Sequence, residues 1–76
     1  MREAPKAKGL VIQAFGNLLH VRFEGNIRQG EVASVQIGEE HLLAEVIEIA
    51  GDVAKIQVFE DTRGVKLNTS VHFANH

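Results

Sequence analysis

The sequence predicts an all-β fold, a small six-stranded antiparallel closed β-barrel. At 76 residues the chain is long enough for one domain only. Its apolar residues recur at every second position along most of the chain, which is the period of a strand with one face inward and one toward water. Glycine-containing turns separate these runs. Closing such a sheet into a barrel would remove exposed strand edges.

The first three strands are predicted from this alternation alone. The first lies between Gly9 and Gly16 and turns the face of Leu10, Ile12 and Ala14 inward. In the next two strands the inward residues are Leu19, Val21 and Phe23, then Ala33, Val35 and Ile37.

The fourth and fifth strands are predicted to form a hairpin over residues 42–49 and 53–60. Gly51 and Asp52 separate them, and both residue types tolerate the positive φ of a tight turn. Residues 39–50 also contain good helix formers. A strand is favoured there because Val46, Ile47 and Ile49 are β-branched and because the segment leads directly into the turn.

The remaining segments complete the predicted organisation. Residues 60–64 form a turn, and residues 70–74 form the last strand. Residues 1–8 are predicted to be a flexible, polar N-terminal arm, and residues 9–76 the barrel. Because the sequence stops directly after the last strand, we expect a domain of a longer protein.

Composition argues against several classes of function. The formal net charge is −2, the basic residues are scattered, and tryptophan and tyrosine are absent, so we expect no nucleic-acid binding. Without cysteine the chain has neither a disulfide nor a thiolate for zinc. Apolar runs such as 42–44 are far shorter than a membrane helix, and no signal peptide is recognisable. The expectation is a cytoplasmic, soluble protein without direct membrane contact.

No residues are predicted to be catalytic, cofactor-binding or metal-binding. His20, His41, His72 and His76 lack the short, defined spacings of a metal site. The adjacent carboxylates at 39–40 and 60–61 are predicted to lie in water rather than to converge on a pocket, with Asp61 or Thr62 accepting a turn hydrogen bond. The hydroxyl residues, which are Ser34, Thr62, Thr69 and Ser70, are predicted to have no histidine nearby that could activate a nucleophile. The glycines match neither common nucleotide-binding pattern.

One segment carries a specific family resemblance. Residues 51–64, GDVAKIQVFEDTRG, closely resemble a stretch in the N-terminal β-barrel of the head subunits of V-type and archaeal-type rotary ATPases. Residues 9–16 resemble the opening strand of that barrel, and residues 29–33 and 44–47 resemble later strands. The resemblance extends over about residues 9–74.

Two kinds of head subunit exist in this family, and the resemblance favours the catalytic one over the non-catalytic one. Residues 35–43 resemble the short linker of catalytic chains, whereas non-catalytic chains usually carry a more charged, proline-containing segment. Three positions depart from the family pattern: Ala44 and Asn68 stand where glycine is frequent, and Phe59 stands where tyrosine is common. Each substitution is compatible with a strand or a turn.

The resemblance implies a structural role. In such enzymes six head subunits, alternately catalytic and non-catalytic, form a ring, and their N-terminal barrels form a crown that holds the hexamer together on the cytoplasmic side. ATP and magnesium bind in a central domain outside this chain, and the parent couples ATP hydrolysis or synthesis to proton or sodium transport. We therefore expect the 76-residue piece to be a monomer without enzymatic activity or cofactor.

Two kinds of assignment remain open at this point. Phe59, Val11 and Leu42 are candidates for contacts with neighbouring head subunits, or they simply flank the barrel core. Besides the crown barrel of the catalytic chain, the alternatives are the equivalent barrel of the non-catalytic chain and a free-standing barrel that binds oligonucleotides or sugars. An independent enzyme has no supporting group of residues.

Overall fold

The computed structural model describes residues 7–60 and 65–73. These residues form six strands, as predicted. Their bounds are β1 Lys8–Phe15, β2 Leu18–Glu24, β3 Val32–Ile37, β4 Glu40–Ala50, β5 Val53–Val58 and β6 Ser70–Phe73. The segment for which a helix was the alternative is the strand β4.

The six strands close into an antiparallel barrel, which confirms the predicted fold class. Around the barrel their order is β1-β2-β5-β4-β3-β6, and β6 pairs back with β1. The four-residue strand β6 therefore pairs with β1 on one side and with β3 on the other. Each of these two strand pairs, which we call seams, has three registered residue pairs. The β1–β6 seam is extended by backbone hydrogen bonds from Phe73 N–H to Ala7 O and from Val11 N–H to Thr69 O, both with N···O of 3.0 Å.

Three hairpins of the described chain share one turn geometry. Each connects its strands through two residues, of which the first is Gly16, Gly38 or Gly51. The φ angles of these glycines are 60°, 60° and 62°, whereas the second turn residue has no positive φ. Positive φ at the first central position alone is typical of a type II′ turn, whose twist matches the flanking strands. The predicted turn at residues 51–52 is thus confirmed.

The barrel interior is a single apolar cluster to which every strand contributes. Its largest fully buried side chains are Phe73, Leu19, Ile56, Val11, Val21, Val35, Val46, Val58 and Val71. Phe73 also contacts the half-buried Phe23 edge-on, with ring centroids 6.0 Å apart. This arrangement is favourable for aromatic pairs, and it joins β6 to β2 across the interior.

The predicted inward face of β1 is wrong. Val11 is fully buried opposite Val21, whereas Leu10 is 45% exposed and Ala14 is exposed. The register shifts between Val11 and Gln13, so Ile12 is the additional residue of a β-bulge. Leu10, Val11 and Ile12 are consecutive and all apolar, so the alternation does not determine which face of β1 is inward. The pairing of β1 with β2 determines it.

For two of the three candidate contact residues, the structure favours the alternative role of flanking or forming the barrel core. Val11 belongs to the core, and Leu42 is half-buried and packs against the core on the inner face of β4. Phe59 is the one of the three that is exposed, at 59%. Val11 is thus not available for contacts with another subunit, and Leu42 flanks the barrel core.

A second bulge lies in β4, where the register with β5 shifts between Val46 and Glu48. The turn over residues 28–31 attaches beside it, because Gly30 N–H donates to Val46 O and Val46 N–H donates to Glu31 O, with N···O of 2.6 and 2.8 Å. The buried side chain of Glu31 accepts a hydrogen bond from the backbone N–H of Arg28 at 3.0 Å.

The barrel begins earlier than predicted. Ala7 is buried in the core and Lys8 starts β1, so these two residues do not belong to a flexible arm. Residues 1–6 lie outside the described part, as do most of the turn predicted for residues 60–64 and the end of the strand predicted for residues 70–74. Among the described residues no helix is long and apolar enough to cross a membrane.

Candidate functional site

The histidines were the first candidates for chemistry, and the structure brings one of them to a hydroxyl group. His41 Nδ1 lies 2.9 Å from the hydroxyl oxygen of Ser34, across the β3–β4 ladder. A histidine therefore lies beside Ser34, while the prediction that no histidine activates a hydroxyl nucleophile stays a prediction. The sequence separation is seven residues, and only the register, which places Gln36 opposite His41, brings the two side chains together.

The Ser34–His41 pair does not have the surroundings of a nucleophile and its base. Both groups lie on the convex outer surface of the barrel, and their hydrogen bond is exposed to solvent. A base in such a pair is ordinarily oriented by a third group, and acyl transfer also needs donors for the developing oxyanion. Among the described residues, no hydrogen bond to the other nitrogen of His41 is present. The pair cross-links β3 to β4.

The other described histidines are surface residues, as predicted. His20 is half-buried on the outer face of β2 and contacts Phe15 edge-on, with ring centroids 5.2 Å apart. His72 is exposed on β6, opposite Lys8 and Ser34. His76 lies outside the described residues. In the described ranges, no group of three or more histidine, aspartate or glutamate residues could hold a metal ion.

The described glycines do not form a phosphate cradle. Gly16, Gly38 and Gly51 are each used by a hairpin turn, and Gly9 lies within β1 against the backbone of Arg22. The adjacent carboxylates of Glu39 and Glu40 are exposed, as predicted. Asp61, Thr62 and Gly64 lie outside the described residues.

The outer surface of the described barrel has a concavity. A groove of about 500 Å³ lies over β6, β1 and β2, and we call it the β1 groove. It is lined by Lys8, Gly9, Leu10, Ile12, Arg22, Glu24, Asn68, Ser70, Val71 and His72. Lys8 and Arg22 supply cationic groups there against the single carboxylate of Glu24. Arg22 also lies 3.7 Å from the carboxylate of Asp52, in an exposed ion pair.

An exposed apolar surface lies on the other side of the barrel. Leu43 is 51% exposed and Phe59 is 59% exposed. The β4–β5 ladder pairs Ala44 with Val58 and continues one step, because Phe59 N–H donates to Leu43 O at 3.0 Å. Residues opposite each other in a ladder point to the same side, so Leu43 and Phe59 form one surface, which we call the β4–β5 patch.

The backbone around Phe59 is fixed by the tip of the first hairpin. The side-chain amide of Asn17 donates to the carbonyl oxygens of Val58 and Glu60, both at 3.2 Å. Val58 N–H in turn donates to Asn17 O at 2.8 Å. Phe59 is therefore presented outward from a segment that is hydrogen-bonded on both sides, to β4 and to the hairpin.

Sequence reasoning missed the β1 groove and the buried carboxylate of Glu31. The groove arises from strands distant in sequence and from the small Gly9, so no local pattern marks it. For Glu31 a signal was present in the sequence: a glycine at position 30 and a carboxylate three residues after Arg28 are the elements of a side-chain-stabilised turn.

Comparison with known proteins gives one matching family model. Residues 11–75 match the family described as the ATP synthase alpha/beta family, beta-barrel domain. The matched range includes all of β2 to β6 and most of β1.

Individual relatives agree with this match. The V-type ATP synthase alpha chain of Protochlamydia amoebophila is 62% identical over 72 residues, which cover 95% of this chain and 12% of the relative. The V-type ATP synthase alpha chains of Chlamydia abortus and Chlamydia pneumoniae are 55% and 54% identical, over 91% and 92% of this chain. In each case the match spans 12% of the relative's length.

Proposed function

The chain belongs to the ATP synthase alpha/beta family as its β-barrel domain, and from this premise we propose that it is the N-terminal crown barrel of a catalytic head subunit. In this role it holds together a hexamer in which catalytic and non-catalytic subunits alternate. The observation that carries the proposal is the 62% identity to a V-type ATP synthase alpha chain over 95% of this chain. No observation favours the non-catalytic chain or a free-standing binding module.

The architecture supports a mechanical role. In a closed antiparallel barrel each strand is hydrogen-bonded on both sides, so the ladder has no free edge along which it can slide. The interior is filled by one cluster of close-packed side chains, which resist deformation. A ring of such barrels can hold its subunits together while other domains change shape during rotation.

The parent protein supplies the chemistry in this proposal. It binds ATP with magnesium in a domain outside this chain, and it couples ATP hydrolysis or synthesis to proton or sodium transport from the cytoplasmic face of the membrane. The barrel itself is not catalytic and binds no cofactor. Three of its described glycines are used by hairpin turns, and no three of its described histidines and carboxylates cluster as metal ligands, which supports this division of labour.

Deletion of the barrel tests its role in assembly. We expect a catalytic subunit that lacks this domain to bind ATP with unchanged affinity but to fail to form a hexamer with its non-catalytic partner, as measured by native mass spectrometry. A truncated subunit that assembles as well as the intact one would contradict the proposal.

A titration tests the absence of a nucleotide site. We expect the amide resonances of the 76-residue chain to show no saturable shift as Mg-ATP is added to millimolar concentration. The isolated chain should also sediment mainly as a monomer. Saturable shifts at micromolar ATP would show that the barrel carries a site of its own.

A further inference from the structure

The barrel is closed by the shortest of its six described strands. β6 has four residues and lies between β1 and β3, with three registered residue pairs on each side. Residues 8–10 of β1 and residues 33–35 of β3 form the two edges between which β6 lies, and we call this place the β1–β3 slot. Both edges are distant from β6 in sequence, so the slot belongs to a part of the chain that precedes its occupant.

The segment that fills the slot is shaped by its own hydrogen bonds. Thr69 N–H donates to Lys66 O at 3.1 Å, and Lys66 N–H donates to the hydroxyl oxygen of Thr69 at 3.0 Å. Val65, just before this turn, is half-buried and packs against the core. Residues 65–73 thus combine a locally stabilised turn with the strand β6 in one short stretch, which we call the closing segment.

The slot holds the closing segment through backbone hydrogen bonds and two buried side chains. Val11 N–H donates to Thr69 O at 3.0 Å, and Asn68 N–H donates to Val11 O at 2.7 Å. Val71 and Phe73 point inward and are 0% and 1% exposed. Backbone hydrogen bonds combined with pockets for alternate side chains are the way in which an extended peptide adds to a free sheet edge.

Departure of the closing segment would leave two free edges in the barrel. A strand with few backbone hydrogen bonds separates at lower free energy than a long one. β1 and β3 would then present unpaired N–H and C=O groups, which are a template for another strand. The same segment of a second copy would restore every lost contact, because two copies that exchange an identical element make the same interactions as before.

We propose that the β1–β3 slot is a strand-acceptor site, which takes in trans the closing segment of a second copy of this chain. The incoming segment pairs antiparallel with β1 and β3, and its own valine and phenylalanine fill the positions of Val71 and Phe73. The attached segment competes with it at an effective concentration on the order of millimolar, so exchange increases when the attached segment is loosened. This inference goes beyond the proposed function and does not depend on it.

The test uses the 76-residue chain and a fluorescein-labelled synthetic peptide of residues 65–73, VKLNTSVHF. Two chain variants loosen the attached segment: Val71→Ala from inside the core, and Asn68→Val at an exposed position whose φ is 70°. Gly51→Ala is the matched control, because its φ of +62° strains the β4–β5 turn and open space surrounds it. Fluorescence anisotropy gives the half-saturation concentration of each chain, and amide resonances locate the bound peptide.

We expect the peptide to half-saturate both loosened chains at concentrations at least about fivefold lower than the wild type. The apparent affinity rises with the fraction of chains in which the slot is open. Val71→Ala in the peptide should act in the opposite direction, raising the half-saturation concentration at least about fivefold, because the same buried contact is lost from the incoming strand. Gly51→Ala should stay within about twofold of the wild type. Resonances of residues 8–10 and 33–35 should shift on binding.

The contrary results are equally definite. A lack of saturable binding to the loosened chains at millimolar peptide would overturn the acceptor site, and so would an equal gain in Gly51→Ala, because general loosening would then explain the binding. If circular dichroism shows that Val71→Ala is unfolded, Asn68→Val decides, since that side chain lies outside the core. The crown role is tested separately by deletion of the barrel, and it stands or falls independently of these results.

Discussion

The substitution Gly9→Ala tests the β1–β2 packing on which barrel closure depends. A methyl group at position 9 would lie 2.5 Å from the carbonyl oxygen of Arg22, 2.7 Å from a methyl carbon of Val21 and 3.1 Å from the Cα of Phe23. Two of these atoms are backbone, so they can move only if the two strands separate. Gly9 has no positive φ, and steric space alone decides the outcome.

The expected magnitude follows from two opposing effects. Replacing glycine by alanine in an open strand would stabilise it by about 0.5–1 kcal/mol. Overpacking against atoms that cannot move away costs about 1–3 kcal/mol. The net loss should be about 0.5–2 kcal/mol. A chain of this length has a free energy of unfolding of about 4–11 kcal/mol, so the variant remains folded.

Urea unfolding followed by far-ultraviolet circular dichroism measures this loss. With an m value of about 1 kcal/mol per molar, the midpoint should fall by about 0.5–2 M. Amide hydrogen exchange supplies the local signature, since the β1–β2 pairs of Gly9→Ala should exchange faster than those of β4–β5. Gly38→Ala is the comparison for the local signature: open space surrounds position 38 and only its φ of +60° opposes the methyl group, so this variant should lose stability without selectively faster exchange of the β1–β2 pairs. A Gly9→Ala barrel as stable as the wild type would refute the reasoning.

Two further predictions concern the turns. Glu31→Ala should lower the free energy of unfolding by about 1–3 kcal/mol, because the N–H of Arg28 loses its buried acceptor. Glu31→Gln should lose less than half of that, since the amide oxygen can still accept; equal losses in urea titrations would contradict this role. Asn68 has a φ of 70°. Asn68→Gly should therefore be neutral or stabilising, and Asn68→Val should cost about 1–2 kcal/mol, measured as shifts in melting temperature.

The inward face of a strand could be predicted from the sequence only where polar residues alternate clearly with apolar ones. In β2 and β5, His20 and Lys55 lie between buried residues, so the inward face was unambiguous and is confirmed. In β1, Leu10, Val11 and Ile12 follow one another, and the sequence supports either face. The bulge at Ile12 and the pairing of Val11 with Val21 resolve this choice, and both depend on contacts with another strand.

The candidate sites show the same limit. A protein without a cysteine or a spaced set of ligands could be recognised from the sequence as a poor candidate for catalysis. The approach of His41 to Ser34 and the β1 groove could not be recognised, because each depends on register or on closure. Phe59 could be selected as a contact candidate because it follows β5 on the polar side of the alternation.

The strand pairs of the barrel differ in length, which bears on the strand that opens first. The β4–β5 patch lies on ladders with six registered pairs between β3 and β4 and six between β4 and β5. The β1 groove lies beside the seam of β6 with β1, which has three. Segments with fewer backbone hydrogen bonds open at lower free energy. The strand β6 should therefore open at lower free energy than β4 and β5. Amide hydrogen exchange of the 76-residue chain should accordingly be faster in β6 than in β4, and equal rates would contradict this reasoning.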